Sequence, residues 1–256
     1  MQARVVSAGR GARWLGEGWR LFRVAPLAWL AAVFGYWILM SLISLLPLIG
    51  AAAAAILVPA FSVGFMALAR AAGRRAPLEL SLLFDGFRHE VRAQITLGFL
   101  YLCCLALLLG ASTLADDGAL AQWLLTGRRP EVDVLYSDGF FTALVATAVL
   151  YMPVMIAFWF APPLAAWHST GAVKALFFSF AASLMNWRAF LGYGLVTAVV
   201  TLAVPFAALT ALALVGEGSR VPTATFVLPL MILLLPTLFA SFYVSYRDVF
   251  GYDAAP

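Results

Sequence analysis

Six long runs of apolar residues, each about as long as a membrane-spanning helix, constrain this chain more than any other feature. A spanning helix needs about 20 mostly apolar residues, whereas membrane β-strands are shorter and alternate in character. The runs here do not alternate, so each predicts a helix. They lie near residues 27–46, 50–70, 95–114, 140–164, 189–215 and 222–245. The sequence therefore predicts an all-α polytopic membrane protein with six transmembrane helices.

Composition excludes the soluble classes. Hydrophobic residues make up 64% of the 256 residues and charged residues only 11%, whereas soluble domains are nearer half apolar and about a quarter charged. We expect residues 1–256 to form a single integral membrane domain that begins with a cytoplasmic amphipathic segment over 1–26. The first apolar run exceeds the 7–15 residues of a signal-peptide core, so it predicts a retained span.

Lysine and arginine predict the orientation, because cytoplasmic loops carry an excess of both. Thirteen of the 16 lie on one predicted side of the membrane: Arg4, Arg10, Arg13, Arg20, Arg23, Arg70, Arg74, Arg75, Arg88, Arg92, Lys174, Arg188 and Arg247. Only Arg128, Arg129 and Arg220 lie on the other side. Both termini are therefore predicted to be cytoplasmic. Because the basic residues cluster between apolar runs, the net charge of +4 does not indicate nucleic-acid binding.

The segment RGARWLGEGWRLFRVAP, residues 10–26, has the pattern of an amphipathic helix. At 100° per residue, one arc holds Trp14, Leu15, Gly18, Trp19, Leu21 and Phe22. The opposite side holds Arg13, Gly16, Glu17, Arg20 and Arg23. Aromatic residues opposite arginines are typical of helices that lie in the headgroup plane of a bilayer.

A similar segment precedes the third span. Its apolar face is Leu80, Leu83, Phe84, Phe87 and Val91, and its polar face is Ser81, Asp85, Arg88, His89 and Arg92. A third segment, 175–190, precedes the fifth span but lacks a charged face. The residues expected to contact anionic lipid are Arg13, Arg20, Arg23, Arg88 and Arg92.

The second helix of each pair carries a proline followed six residues later by an aromatic residue. The pairs are Pro59 and Phe65, Pro153 and Trp159, and Pro236 and Phe242. This spacing suggests three degenerate units, each a leading segment followed by a two-span hairpin, although chance matches are the alternative. Helix kinks are expected at Pro59, Pro153, Pro205 and Pro236, since proline removes a backbone donor; packing without a kink is the alternative.

Four stretches carry a resemblance to a known family. They are QARVVSAGRGARWLGEGWRLFRVAPLAWL at 2–30, LPLIG at 46–50, VPAFSVGFMALAR at 58–70 and LFDGFR at 83–88. Together they resemble a family of uncharacterised six-span inner-membrane proteins of proteobacteria, most strongly over residues 1–110. The helix plan is more distantly similar to that of YciC-like membrane proteins. The resemblance implies a location in the bacterial inner membrane and supplies no reaction.

The residues that carry chemistry are sparse. No Asp, Glu, Lys, Arg or His lies at hydrocarbon depth in the predicted spans, which argues against an ion-coupled pump. Cys103 and Cys104 are adjacent in an apolar run, a spacing that suits neither a disulfide framework nor a metal site. His168 is expected at the interface without a clear partner. We expect no enzyme activity, no catalytic, metal-binding or cofactor-binding residue, and no cofactor.

Two functions remain open at this point. The first is a non-enzymatic scaffold whose amphipathic segments bind membrane lipids or a partner. The second is a small permease or channel for a neutral or apolar solute, suggested by spans with prolines and without charges. A homo-oligomer or another membrane partner is also open, because several glycines, namely Gly35, Gly64, Gly98, Gly110, Gly192 and Gly194, allow close helix contacts.

Overall fold

The computed structural model describes residues 2–47, 49–214 and 224–251, and the regular elements in these ranges are all helical. The helices are α1 Ala8–Phe22, α2 Pro26–Ser44, α3 Gly50–Gly73, a 3-10 helix Leu80–Phe87, α4 Val91–Asp116, α5 Ala119–Thr126, α6 Val132–Leu135, α7 Asp138–Trp159, α8 Ala161–His168, α9 Ala172–Met185, α10 Trp187–Leu214 and α11 Ala224–Phe250.

Four stretches among the described residues are long and apolar enough to cross a membrane. They are α2, α3, α4, and α7 taken together with α8, and they coincide with the first four predicted spans. The fifth and sixth predicted spans correspond to α10, of 28 residues, and α11, of 27 residues. Arg220 and the adjoining span ends at 215 and 222 lie outside the described residues. The structure confirms the all-helical prediction for the residues it describes and shows four stretches of spanning length, and the count of six spans stays a prediction.

The predicted fourth span, 140–164, is interrupted at Phe160, between α7 and α8. Pro162 and Pro163 have no backbone N–H, so the helix cannot continue its regular hydrogen bonding there. The hydroxyl of Ser179 on α9 fills the break. It accepts from the backbone N of Phe160 at 2.9 Å and donates to the carbonyl oxygen of Ile156 at 3.1 Å. A side chain inserted into the helical ladder is a recognised cause of a helix bend.

The sequence predicts kinks at four prolines, and in the structure the helix continues past each of them. Pro59 lies inside α3 and Pro153 inside α7. α10 runs through position 205 and α11 through position 236; the side chain of Pro205 is not among the described ones. Pro236 is buried and Pro153 is exposed, so the two prolines meet different surroundings. Kinks at these four positions stay predictions.

α1 packs between the first turns of α10 and the last turns of α11. Two glycines allow this approach: a Cβ at Gly11 would overlap the carbonyl oxygen of Ala189, and one at Gly18 would overlap the backbone of Thr237. Trp14 is fully buried, whereas Trp19 stays 39% exposed. The apolar face of this helix, whose pattern is typical of helices in the headgroup plane, is therefore mostly covered by α10 and α11.

Each of the other two leading segments packs on the hairpin that precedes it in the chain. The segment before α4 folds as a 3-10 helix and packs on α3, and α9 packs on α7 and α8. Asp85, predicted on the polar face of the former, is only 8% exposed. Its place on the polar face therefore does not expose it to solvent, because Trp167 of α8 lies against its carboxylate. With α1 on α10 and α11, the first leading segment contacts the last hairpin, which closes the bundle.

Aromatic contacts join α3, α7 and α11 in the core. Phe65 of α3 stacks on Phe239 of α11 with ring centroids 4.0 Å apart. Trp159 of α7 meets Phe242 of α11 edge to face at 4.6 Å. Phe65, Trp159 and Phe242, the aromatic residues that follow the prolines, therefore lie on helices joined by ring contacts at α11. These contacts do not test whether the three units are repeats.

The glycines expected at close helix contacts divide into two groups. Gly64, Gly98 and Gly192 each face the backbone of a neighbouring element. Gly35, Gly110 and Gly194 have no described atom within 4 Å of a Cβ built on them. The glycines that face a neighbouring backbone allow close packing inside the bundle. The other three make no such contact within the part of the chain that the structure describes, and the prediction of an oligomer stays untested.

The packing of α1 predicts opposite effects for two substitutions on the same helix. We expect Gly11→Ala to lower the melting temperature of the detergent-solubilised protein, because overpacking costs about 1–3 kcal/mol. Gly16→Ala is the matched control: its Cβ meets open space, and replacing a helical glycine stabilises by up to about 1 kcal/mol. Equal melting temperatures for the two variants would contradict the close contact with Ala189.

Candidate functional site

One end of the molecule holds the N-terminal segment, the start of α10 and the ends of α3, α8 and α11. We name it the basic end, because most of the arginines of these elements lie there. There the N-terminal residues contact both the α9–α10 junction and the end of α11. The backbone N of Val6 donates to Asn186 Oδ1 at 2.8 Å, and Asn186 Nδ2 donates to the carbonyl oxygen of Arg4 at 3.0 Å. The backbone N of Arg4 donates to the carbonyl oxygen of Val249 at 2.7 Å. These bonds hold the first and last helices together.

Four charged side chains form a network between α1 and α11. Arg10 donates to the carboxylates of both Asp248 and Glu17, with Nη2 2.8 Å from Asp248 Oδ1 and 3.1 Å from Glu17 Oε2. Arg247 Nη2 donates to Glu17 Oε2 at 2.8 Å. The indole Nε1 of the buried Trp14 donates to Asp248 Oδ2 at 2.8 Å. Two arginines face two carboxylates, so the network has no net charge.

The network stabilises the charged form of Arg10. Its hydrogen bond to Asp248 raises the pKa of the Arg10 guanidinium above its ordinary value; partial burial opposes this, and the bond to Glu17 adds to it. A raised pKa contributes stability that is fully present below the unfolded value, which for arginine lies above about 12. The guanidinium of Arg10 therefore stays charged throughout the physiological range.

A second polar cluster surrounds Asp85. Trp167 Nε1 lies 3.5 Å from Asp85 Oδ2, and His89 Nδ1 lies 3.6 Å from Asp85 Oδ1. The guanidinium of Arg70 lies over the Trp167 ring, 4.9 Å from its centroid. In this geometry the arginine contributes a cation–π interaction. The cluster joins the ends of α3, the 3-10 helix and α8.

His168 is not the unpartnered residue that the sequence suggests. Its Nε2 lies 2.7 Å from the hydroxyl of Tyr246 on α11. The partner lies 78 positions away in the chain, so no local pattern indicates it. His168 therefore joins the end of α8 to α11.

The five arginines predicted to contact lipid are all exposed. They are Arg13, Arg20, Arg23, Arg88 and Arg92. Among the residues that the structure describes, they form no ion pair, in contrast to Arg10 and Arg247. Exposed apolar side chains accompany them, including Trp19 on α1 and Phe84 on the 3-10 helix. The end of α1 lies beside the end of α3, since Leu21 reaches Gly73.

Arginines of the N-terminal segment therefore have two kinds of surroundings in the structure. Arg10 turns inward to carboxylates, and Arg13, Arg20 and Arg23 stay exposed. Sequence reasoning missed the inward set, because Arg10 and Asp248 are separated by 238 positions. The only available signal was the pair Gly11 and Gly18 beside Trp14, which indicates a helix face built for close contact.

The described residues include no group of three or more His, Cys, Asp or Glu side chains placed to hold a metal ion. Cys103 and Cys104 are both free thiols and half-buried. The chemistry that the described basic end offers is hydrogen bonding and charge, which suits recognition of anions by exposed guanidinium groups.

Comparison with known proteins decides the family. A probable inner membrane protein of Burkholderia thailandensis is 38% identical to this chain over 257 aligned residues, which cover 98% of this chain and 94% of the relative. This chain belongs to the same family. No family model matches the sequence, and no solved structure matches it. Together with the apolar helices, the relative identifies a transmembrane protein of the bacterial inner membrane.

The charge network predicts that removing a single carboxylate, that of Asp248, lowers the stability of the folded protein strongly. We expect Asp248→Ala to destabilise the folded protein by about 3 kcal/mol, because Arg10 and the indole of Trp14 lose their shared acceptor. The measurement is the melting temperature in a mild detergent. The control is Asp133→Ala, an exposed carboxylate on α6. A loss no larger than that of the control would show that the network contributes little.

Proposed function

We propose that this protein is a non-enzymatic membrane scaffold that binds anionic lipid head groups at its basic end. The observation that supports this most directly is a set of exposed arginines that form no ion pair with any residue the structure describes, Arg13, Arg20, Arg23, Arg88 and Arg92. An arginine that already pairs with a carboxylate is neutralised, whereas these five keep their charge available. A protein partner with an acidic surface is the other ligand that such a set suits.

Physical chemistry favours lipid as the first ligand. A basic side chain near an anionic leaflet gains about 1 kcal/mol, so several together bind appreciably. The planar guanidinium donates two parallel hydrogen bonds to a phosphate. Trp19 and Phe84 are exposed beside these arginines, and aromatic residues are enriched at the membrane interface. Arg20, Arg23, Arg88 and Arg92 lie next to the ends of apolar helices of spanning length, where we expect the headgroup layer.

We also propose six spans with both termini in the cytoplasm, in the plan that resembles YciC-like proteins. At about 1.5 Å per residue, the 28 residues of α10 and 27 of α11 exceed the roughly 30 Å hydrocarbon core. The N-terminal segment and the end of α11 meet at one end of the bundle, which agrees with an even number of crossings. The excess of arginine there supports a cytoplasmic side.

A permease or channel for a neutral or apolar solute remains the alternative function. The described spans hold no charged side chain at hydrocarbon depth. A pathway for a neutral or apolar solute needs none. Flux of neutral solutes into vesicles containing the protein tests it, against vesicles without protein. Faster flux would favour the permease over the scaffold.

The scaffold predicts a loss of bound lipid when the exposed arginines are removed. We expect the triple variant Arg13→Ala, Arg20→Ala, Arg23→Ala to retain severalfold less phosphatidylglycerol and cardiolipin, measured by native mass spectrometry from mild detergent. The matched control is Arg128→Ala with Arg129→Ala, two exposed arginines on the α5–α6 connection. The triple Arg→Lys variant keeps the charge and should retain intermediate amounts. Unchanged lipid in the alanine triple variant contradicts the scaffold.

The topology predicts the side from which two engineered cysteines react. In a background with Cys103→Ala and Cys104→Ala, an impermeant maleimide applied to spheroplasts should label Arg129→Cys but not Gly9→Cys. Both positions are exposed, so access depends on the membrane side. Disrupting the membrane should allow both to react. Labelling of Gly9→Cys before disruption would place the N-terminus outside the cytoplasm.

A further inference from the structure

A cavity of about 280 Å³ lies between α3, α4, α7, α11 and the start of α8. Aromatic residues form much of its wall, namely Tyr101, Tyr151, Phe158, Trp159 and Phe242. Tyr101 lies ten positions after the start of α4, and Tyr151 lies eight before the end of α7. At about 1.5 Å per residue, Tyr101 lies about 15 Å from the start of α4 and Tyr151 about 12 Å from the end of α7, so both lie well inside stretches of spanning length.

One hydrogen-bond donor in the cavity wall has no acceptor within the part of the chain that the structure describes. The hydroxyls of Tyr101 and Tyr151 lie 3.0 Å apart, so one donates to the other. Each phenol carries one proton, and the second proton has no acceptor among the described residues. The other side-chain donors of the wall are occupied: Ser62 donates to the carbonyl oxygen of Pro59, and Trp159 Nε1 donates to Ser245.

The lining determines which ligand fits. The described lining residues include no Asp, Glu, Lys, Arg or His, so a charged group would enter without a counter-ion, which is costly at this depth. A plain hydrocarbon chain would fit the apolar walls but leave the spare phenol proton unpaired. Aromatic walls and a single donor suit a flat, uncharged ring that carries an oxygen acceptor.

We propose that this cavity binds an uncharged, membrane-soluble ring compound with a carbonyl oxygen, and that the Tyr101–Tyr151 pair donates its spare proton to that oxygen. The ring lies against the aromatic side chains of α7 and α11. Binding needs no bond to form or break, and it does not depend on the lipid site at the basic end.

The test uses two probes that differ in their oxygen atoms: a benzoquinone with a decyl chain, and decylbenzene. Binding is measured as the rise in melting temperature of the full-length protein in detergent with increasing probe. We expect the quinone to bind clearly more tightly than decylbenzene. The double variant Tyr101→Phe, Tyr151→Phe should weaken quinone binding about tenfold and leave decylbenzene binding unchanged.

The single variants and controls sharpen this test. Each single Tyr→Phe variant retains one phenol proton, so its effect on quinone binding should be smaller than that of the double variant. Tyr36→Phe removes a hydroxyl from α2 outside the cavity wall and should leave quinone affinity at the wild-type value. The alanine triple variant of Arg13, Arg20 and Arg23 should also bind the quinone normally, which separates this proposal from the lipid scaffold.

Two results would overturn the proposal. One is equal binding of both probes to the wild type, which identifies a hydrocarbon pocket without use of the phenols. The other is quinone binding that the double variant leaves unchanged. If the double variant does not fold, Val58→Phe fills the cavity while keeping both phenols, and it should abolish binding of the quinone. Retained quinone binding in Val58→Phe places the ligand elsewhere and contradicts the site.

Discussion

The hydrogen bond between the buried indole of Trp14 and the carboxylate of Asp248 is the contact on which the closure of the bundle depends. It joins the first helix to the last one. Arg10, also on α1, donates a further hydrogen bond to the same carboxylate. Without α1, the carboxylate near the end of α11 would lose both donors. Close approach is also required, and only a residue without a side chain at Gly11 leaves room for the backbone of α10.

The bilayer explains why the polar contacts are arranged as they are. Hydrocarbon offers no hydrogen bonds, so a backbone group freed inside it must find a partner in the protein. Ser179 supplies such a partner at the break between α7 and α8, and the buried Gln94 binds the carbonyl oxygen of Pro162 in the same region. The four-residue network and the five exposed arginines lie outside the hydrocarbon-depth parts of the predicted spans instead, on the basic end of the molecule.

The predicted helices and the first four spans agree with the structure because length and hydropathy are local properties. What covers a helix face could not be predicted in the same way. Periodicity did not indicate that α10 and α11 cover the apolar face of α1 or that Trp167 lies against Asp85, since lipid and a neighbouring helix are equally apolar. At the break at Phe160, the partner of the freed backbone groups is Ser179, a residue of another helix. The adjacent Pro162 and Pro163 alone therefore did not indicate where the helix breaks.

By itself, the sequence determined that the chain is helical, that its apolar runs suit a membrane, and that most of its basic residues gather on one predicted side. These follow from the cost of placing polar groups in hydrocarbon, which acts on each segment separately. Only the tertiary structure decided that Arg10 pairs inward while Arg13 stays exposed, and that two tyrosines from different helices share one hydrogen bond beside a cavity. Such contacts join residues far apart in the chain, so they exist only once the helices have packed.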